Sequence, residues 1–379
     1  MEFTVDKTNF LNALNLVKLA LPSKTPMQIL KSIMIIADDN QLVLRATDNT
    51  IDITALNVKA TVKKNGVVCI DGLIVSILPK FEDGEIKFKL KDDKLTISQG
   101  KRRETFTTLN PDNFPPKLSV DNYAEMDVDA FRTALSKLYF VTKVADKEIL
   151  EEFYFNQERG YVIAADGFRA LRYNSLSLPG QNLTINAKNL MDVLQYIRDL
   201  SKIEVSLNRP VSGIRGQSEL MNFEACFAIS EEEYSDAANR LFDDLLSITP
   251  AFRLILDKKG LSNILDTCSI YARQSASNYS KDYYVTLTKK GKDIEFTMSI
   301  PDTVNSENSM EILESEGEEL EVMLHPLKVQ ELLNQFDSDK VEFRFFTNED
   351  KPTIGENPVM ILDSLNPQLT AIYAPTRKA

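Results

Sequence analysis

Val5-Asp6-Lys7-Thr8-Asn9-Phe10-Leu11-Asn12-Ala13-Leu14 reads as an apolar residue, a capping residue, three open positions, an apolar residue, two further positions and an apolar pair. A carboxylate just ahead of a helical apolar period marks a helix start, because its oxygen can accept a bond from a free first-turn N–H. The same phrase returns at Met126-Asp127…Phe131…Ala134-Leu135 and at Leu256-Asp257…Leu261…Ile264-Leu265. It also returns between these, at Ile185-Asn186…Leu190…Val193-Leu194 and Leu324-His325…Val329…Leu332-Leu333. A broken copy stands at Ile70-Asp71…Val75…Leu78, where Pro79 stops the helix early. The six copies fall in pairs with caps roughly 60–70 residues apart, and the pairs recur roughly every 120–130 residues. A fixed internal period predicts three similar domains with two helices each, over 1–122, 123–250 and 251–379. Polar stretches near Asp121-Asn122 and Thr249-Pro250 mark the boundaries.

Between the helices the apolar period drops to two. Gln41–Thr47, Glu85–Leu90, Lys94–Ser98, Tyr161–Ala164, Lys202–Ser206, Asp282–Leu287, Ile294–Met298 and Lys340–Phe345 all read as strands. Asp92-Asp93 joins two of them as a hairpin. Short strands joined by tight turns predict antiparallel sheet with helices on one face, an α+β fold.

The chain has 379 residues, too many for one core, with 43% hydrophobic residues and a net charge of −12. It has no run of about 20 apolar residues that could span a bilayer. Met1-Glu2-Phe3-Thr4-Val5-Asp6 lacks the basic start and apolar stretch of a secretory signal. Cys69, Cys226 and Cys268 are odd in number and show no CxxC spacing, so they read as buried free thiols in a reducing cytoplasm. The acidic residues cluster at Glu231-Glu232-Glu233 and between Glu307 and Glu321, as solvated loops do.

The single histidine, His325, sits at a helix start, where a structural role is expected. No nucleophile set, HExxH, Cys/His cluster or phosphate loop is present, and Gly213-x-x-Gly216 is too short for a dinucleotide fingerprint. These absences favour a binding protein over an enzyme, with no metal and no cofactor. The basic residues of the helices carry more information. Arg132, Ser136 and Lys143 share one face of the third helix, opposite Phe131, Ala134, Leu135 and Leu138. Lys188, Gln195 and Lys202 repeat that spacing. Lys7 and Lys18 flank the first helix, Lys24 follows it, Lys258 and Lys259 open the fifth, and Lys328 lies in the sixth. Basic helix faces on an acidic protein suit sequence-blind contact with phosphates.

Several segments carry a resemblance to a known family. Met1-Glu2-Phe3-Thr4-Val5, Ile29-Leu30, Leu42-Val43-Leu44-Arg45-Ala46-Thr47-Asp48, Phe106-Thr107-Thr108-Leu109 and Phe114-Pro115 are similar, in order, to the first domain of bacterial sliding clamps, the beta subunits of DNA polymerase III. Ala164-Ala165-Asp166-Gly167-Phe168-Arg169-Ala170 resembles the family's A-T-D-G-H-R-L segment, and Ile372-Tyr373-Ala374-Pro375-Thr376-Arg377 its V-M-P-M-R tail. The resemblance implies a ring of two head-to-tail protomers that encircles duplex DNA without sequence preference. It implies a processivity factor that tethers the replicative polymerase, the clamp loader and repair proteins through their short linear motifs. The implied partner pocket comprises Leu150, Ala165, Gly167, Phe168, Arg169, Ala170, Arg240, Leu241, Ile372, Tyr373, Ala374, Pro375, Thr376 and Arg377. The implied dimer contact sets Ile74, Ile77, Leu78 and Lys80 against Ile270, Tyr271, Glu307 and Glu311. Phe168 stands for the family's usual histidine and Ala170 for a larger apolar residue. Tyr234-Ser235-Asp236-Ala237-Ala238 replaces an aromatic-Pro-Asp segment, and Lys378-Ala379 extends past the common end. These departures motivate a second reading, a clamp-shaped DNA-binding scaffold of phage or plasmid type with altered partners.

Overall fold

The computed structural model describes residues 1–143, 148–196, 200, 202–218, 221–230, 237–279, 283–347 and 352–375, with backbone alone at 148–149, 237–238 and 274–279. Seven α-helices lie among them: α1 (Lys7–Val17), α2 (Ile74–Ile77), α3 (Val128–Thr142), α4 (Ala187–Tyr196), α5 (Ala237–Ser247), α6 (Lys258–Tyr279) and α7 (Pro326–Leu333). Six of them follow the six expected starts. The Asp6, Asp127 and Asn186 side chains accept from the N–H three residues on, at 3.1, 2.9 and 3.0 Å. Asp257 does so at 2.6 Å, and the Nδ1 of His325 accepts from Lys328 N–H at 3.4 Å. The broken copy differs as its sequence requires. Asp71 accepts from Leu73 N–H at 2.8 Å, α2 has one turn, and Leu78–Lys80 continues as a 3-10 turn around Pro79. Each such cap is worth about 0.5–2 kcal/mol. The seventh helix, α5, has no counterpart in the repeated pattern.

The strands also fall where alternation places them, and every pairing between named strands is antiparallel. Asp92 and Asp93 both take positive φ, as a two-residue hairpin turn demands. Contacts group the chain into two compact units, 1–135 with 154–160 and 177–233, and 136–153 with 161–176 and 234–379. In the first unit, eight strands close on themselves, because Glu2–Asp6 pairs with both Glu85–Lys91 and Ile51–Lys64. Helix α1 buries Phe10, Ala13, Leu14, Leu16 and Val17 against this sheet. Phe3 stacks on Phe88 at 4.6 Å, and Phe10 tilts onto Phe88 at 4.9 Å. Such rings each contribute about 1.5–3 kcal/mol through burial. The outer edge of Ile51–Lys64 then pairs with Asn222–Ala228 of the second predicted repeat, Ile51 opposite Phe227, so the sheet runs on without a break.

The second unit contains the same joint between its own segments. Arg169–Tyr173 pairs with Leu369–Tyr373, Arg169 opposite Tyr373. The sheet continues through Val359–Asp363, Lys340–Phe345, Phe252–Asp257 and Glu314–Glu316. A separate four-stranded sheet has the order Val304–Glu311, Asp293–Ile300, Val285–Lys290, Glu321–Leu324, which leaves Val304–Glu311 at its edge.

Candidate functional site

The hairpin between Tyr161–Ala165 and Arg169–Tyr173 is built by Asp166. One of its oxygens, Oδ1, accepts from Phe168 N–H at 2.9 Å and from Arg169 N–H at 2.7 Å, and Asp166 N–H donates to Arg169 O at 3.0 Å. Gly167 sits at φ +89°, the left-handed region that glycine enters without strain. A Cβ there would meet nothing within 4 Å, so the turn leaves open space beside it. Phe168 is thrust outward with 49% of its surface exposed. The Lys328 ammonium of α7 covers the ring, 3.2 Å from its centroid.

Arg169 is buried and holds three elements together. Its Nε donates to Asp166 at 2.8 Å, and its Nη1 donates to Glu331 at 2.5 Å and to Lys328 O at 3.3 Å. Its guanidinium lies 5.2 Å from the centre of the Phe140 ring. A buried arginine is tolerable only when its donors are satisfied this way. Beside the hairpin, Ala374 N–H donates to Phe168 O at 2.8 Å, which fixes the chain end against the turn. Helix α5 docks on the same strands. Arg172 pairs with Asp243 at 3.2 Å between the rings of Tyr161 and Phe242, and Tyr161 OH donates to Asn239 at 2.8 Å.

The structure thus brings Gly167, Phe168, Arg169, Ala374 and Pro375 together. Ala165 and Ala170 lie opposite each other in the register, each with 8% of its surface still accessible. Leu150 is half-buried on the 3-10 turn Glu148–Glu151, against Tyr161–Ala165. Arg240 is exposed and Leu241 half-buried on α5. Ile372 and Tyr373 are corrected. Both are buried, at 2% and 1%, because Leu369–Tyr373 is an interior strand; Tyr373 instead accepts His325 N–H on its hydroxyl at 2.9 Å. They support the site and do not line it. Thr376 and Arg377 lie outside the described residues. The sequence reading missed α5 and the Arg172 anchor. Leu241-Phe242…Leu245-Leu246 is a helical apolar spacing that carried the signal.

Of the basic residues, Lys18, Lys24, Lys143, Lys188 and Lys259 are exposed, and Arg132 is half-buried. Lys188 pairs with Asp192 one turn on, and Lys143 lies over the Tyr139 ring at 4.3 Å. Four of the expected phosphate-facing lysines are corrected. Lys7 donates to Phe81 O at 2.7 Å and to Asp83 at 3.0 Å, and Lys258 donates to Phe336 O at 2.7 Å. Each opens the first helix of its repeat and ties down the chain just after the second helix, so its charge is spent inside the fold. Lys328 is committed to Phe168. Lys202 opens a strand, Lys202–Ser206, and pairs with Glu125 at 3.4 Å; it does not continue the face of α4, whose last residue is Tyr196. At the expected dimer surface, Ile270 is 55% exposed on α6, Tyr271 and Ile77 are half-buried, and Lys80, Glu307 and Glu311 are exposed. Ile74 and Leu78 are corrected, since both side chains are wholly inside the first unit and offer no surface to a partner.

Among the described residues no three His, Cys, Asp or Glu side chains gather as a metal site, and no helix is long and apolar enough to cross a membrane. Residues 1–119 match the family described as DNA polymerase III beta subunit, N-terminal domain. Beta sliding clamps of Staphylococcus epidermidis and Staphylococcus aureus are each 22% identical over 363 residues, which is 91% of this chain and 93% of the relative. The DNA polymerase sliding clamp of Bacillus subtilis superposes with a TM-score of 0.85 at 18% identity, over 100% of both chains. The pol III beta of Caulobacter crescentus gives 0.84 at 17%, over 100% of both. The chain is similar over nearly its whole length to bacterial DNA polymerase III beta subunits and has their fold.

Proposed function

We propose that this chain is a beta sliding clamp, a DNA polymerase processivity factor that closes around duplex DNA as a homodimer and acts in the cytoplasm without catalysis. The observation that carries the reading is the repeated unit itself. Six helix starts in three pairs, five with an i+3 cap, belong to a chain that matches sliding clamps from end to end. Nothing in the comparisons favours the phage- or plasmid-type scaffold. Three domains, 1–122, 123–250 and 251–379, supply the helix pairs.

A closed ring retains DNA by topology, so a net charge of −12 is no handicap. Lys18, Lys24, Lys143, Lys188 and Lys259, with Arg132, steady the duplex through phosphate contacts that are individually weak and salt-sensitive. Ile77, Lys80, Ile270, Tyr271, Glu307 and Glu311 carry the contact between protomers. The edge position of Val304–Glu311 supports this, because an unpaired strand edge is ready to accept another strand. Replicative polymerase, clamp loader and repair proteins bind through short motifs at Gly167, Phe168, Ala170, Arg240, Leu241, Ala374 and Pro375.

The test is retention on DNA. Loaded onto nicked circular duplex by its cognate loader, the protein stays bound through gel filtration and is released when the circle is linearised. Reversal of Lys18, Lys24, Lys143, Lys188 and Lys259 to Glu weakens and flattens the salt dependence of contact without changing the dimer mass. Ile270→Asp yields monomer in light scattering. Equal retention on linear and circular DNA would overturn the ring reading.

A further inference from the structure

The hairpin at the partner site has a twin. In the first unit Asp48 Oδ1 accepts from Thr50 N–H and Ile51 N–H, both at 2.8 Å, as Asp166 does from Phe168 and Arg169. Asp48 N–H donates to Ile51 O at 3.2 Å, as Asp166 N–H donates to Arg169 O. Asn49 takes φ +75° where Gly167 takes +89°. Ala228 N–H donates to Thr50 O at 2.8 Å, and Ala374 N–H donates to Phe168 O at the same distance. Ile51 faces Phe227 in the register, and Arg169 faces Tyr373. By this equivalence, Thr47 and Asp52 correspond to Ala165 and Ala170, and both couples are directly paired. Arg45 corresponds to Ile163.

The two copies differ in what covers them. On the first, the connector Phe114–Leu118 lies across Arg45 and Asp52. Arg45 donates to Pro115 O at 2.9 Å and to Pro116 O at 2.8 Å, Leu118 N–H donates to Asp52 at 3.2 Å, and Arg45 sits over the Phe114 ring at 5.2 Å. Phe114 has φ −73° and ψ 138°, and the prolines that follow hold φ near −65°, so this segment is extended in the polyproline sense. Asp52 and Thr47 are thereby fully buried. On the second copy the connector forms α5 and packs farther along, over Arg172 and Tyr161. Ala165 and Ala170 keep some accessible surface, beside the open space at Gly167.

We infer that the first hairpin is a closed copy of the partner groove, occupied permanently by the chain's own connector, and that the second hairpin takes its partner in the same way. The partner is an extended, apolar peptide segment that lays an aromatic or leucine side chain on the Ala165–Ala170 face, as the connector lays Phe114. This rests on the peptide-binding reading of the site and specifies the ligand's conformation and position. The residue differences fit an exchangeable occupant. The closed copy locks its segment with a buried guanidinium and carboxylate; the open copy has Ile163 and Ala170 in their places and offers only apolar contact. Bonds of that kind release on a useful timescale.

The test uses two acetylated, amidated peptides, Gly-Ser-Leu-Phe-Ser-Gly and Gly-Ser-Leu-Phe-Pro-Pro, titrated by NMR into the full-length protein and its Ala170→Asp variant. Both peptides bind the wild type, the proline version at least as tightly, because proline pre-sets the extended backbone. Ala170→Asp weakens both at least roughly tenfold, since the peptide would cover a carboxylate with no Arg45 equivalent beside it. If the proline version binds more than tenfold worse, or Ala170→Asp changes nothing, the inference is overturned and the pocket stands. If neither peptide binds the wild type, the peptide-binding reading fails as well. The proline comparison uses only the wild type, so it holds even if the variant folds poorly.

Discussion

Asp52→Asn tests how the connector between the first two repeats is held. Asp52 accepts Arg45 Nε at 2.9 and 3.0 Å, Arg45 Nη2 at 2.5 Å and Leu118 N–H at 3.2 Å, and both partners of the pair are buried. Removing the carboxylate charge leaves the guanidinium buried and uncompensated. Breaking a buried pair from one side costs about 3–5 kcal/mol. The cost falls on local opening of the connector, which raises its open population by about two to three orders of magnitude, at about 1.4 kcal/mol per decade. Trypsin reports this directly, because Lys117 lies inside the clasp and is cut only when the connector leaves the sheet; when reclosing outpaces cleavage, the rate tracks the open population. Hydrogen exchange of the Leu118 amide gives the same free energy independently. Arg45→Met destabilises similarly. The double change Arg45→Met with Asp52→Leu recovers most of the loss, because no charge is then left buried. A cleavage rate at Lys117 within about twofold of wild type in Asp52→Asn would falsify the clasp. So would a double variant as labile as either single one.

Two further outcomes follow from burial and charge. Burial pushes the Cys69 and Cys226 thiols up to about 12; both stay unmodified by iodoacetamide in the folded protein at pH 8 and react once it is unfolded in urea. Lys137, which donates to Asp337 at 2.9 Å and to Gln335 O at 2.6 Å, holds the Asp337 carboxyl below its ordinary value. A depressed folded value means stability that is present above the unfolded aspartate pKa, about 3.9, and lost as pH falls through the folded value. The melting temperature of wild type therefore exceeds that of Asp337→Asn at pH 6, and the gap closes towards about pH 2–3. A gap that is constant with pH would refute the pairing.

The helix starts, the strands and the repeat were legible in the chain because they depend on neighbours. A cap bonds an amide three residues away, and alternation reports on one strand at a time. The site was legible only in part. The segment Ala164–Ala170 and the chain end pointed to it, but a lysine's reach let Lys7 and Lys258 turn inward to carbonyls 74 and 78 residues away. Their spacing on the helix could not show this. Ile372 and Tyr373 were read as groove walls because a last strand looks like an edge in sequence. Pairing with Arg169–Tyr173 on one side and Val359–Asp363 on the other made it an interior strand. By itself the sequence determined the repeated local units, whose hydrogen bonds close within a few residues. Only the tertiary structure decided which side chains were left facing outward, and which of two equivalent hairpins was already covered. Those outcomes depend on contacts between residues far apart in the chain, whose register no local pattern encodes.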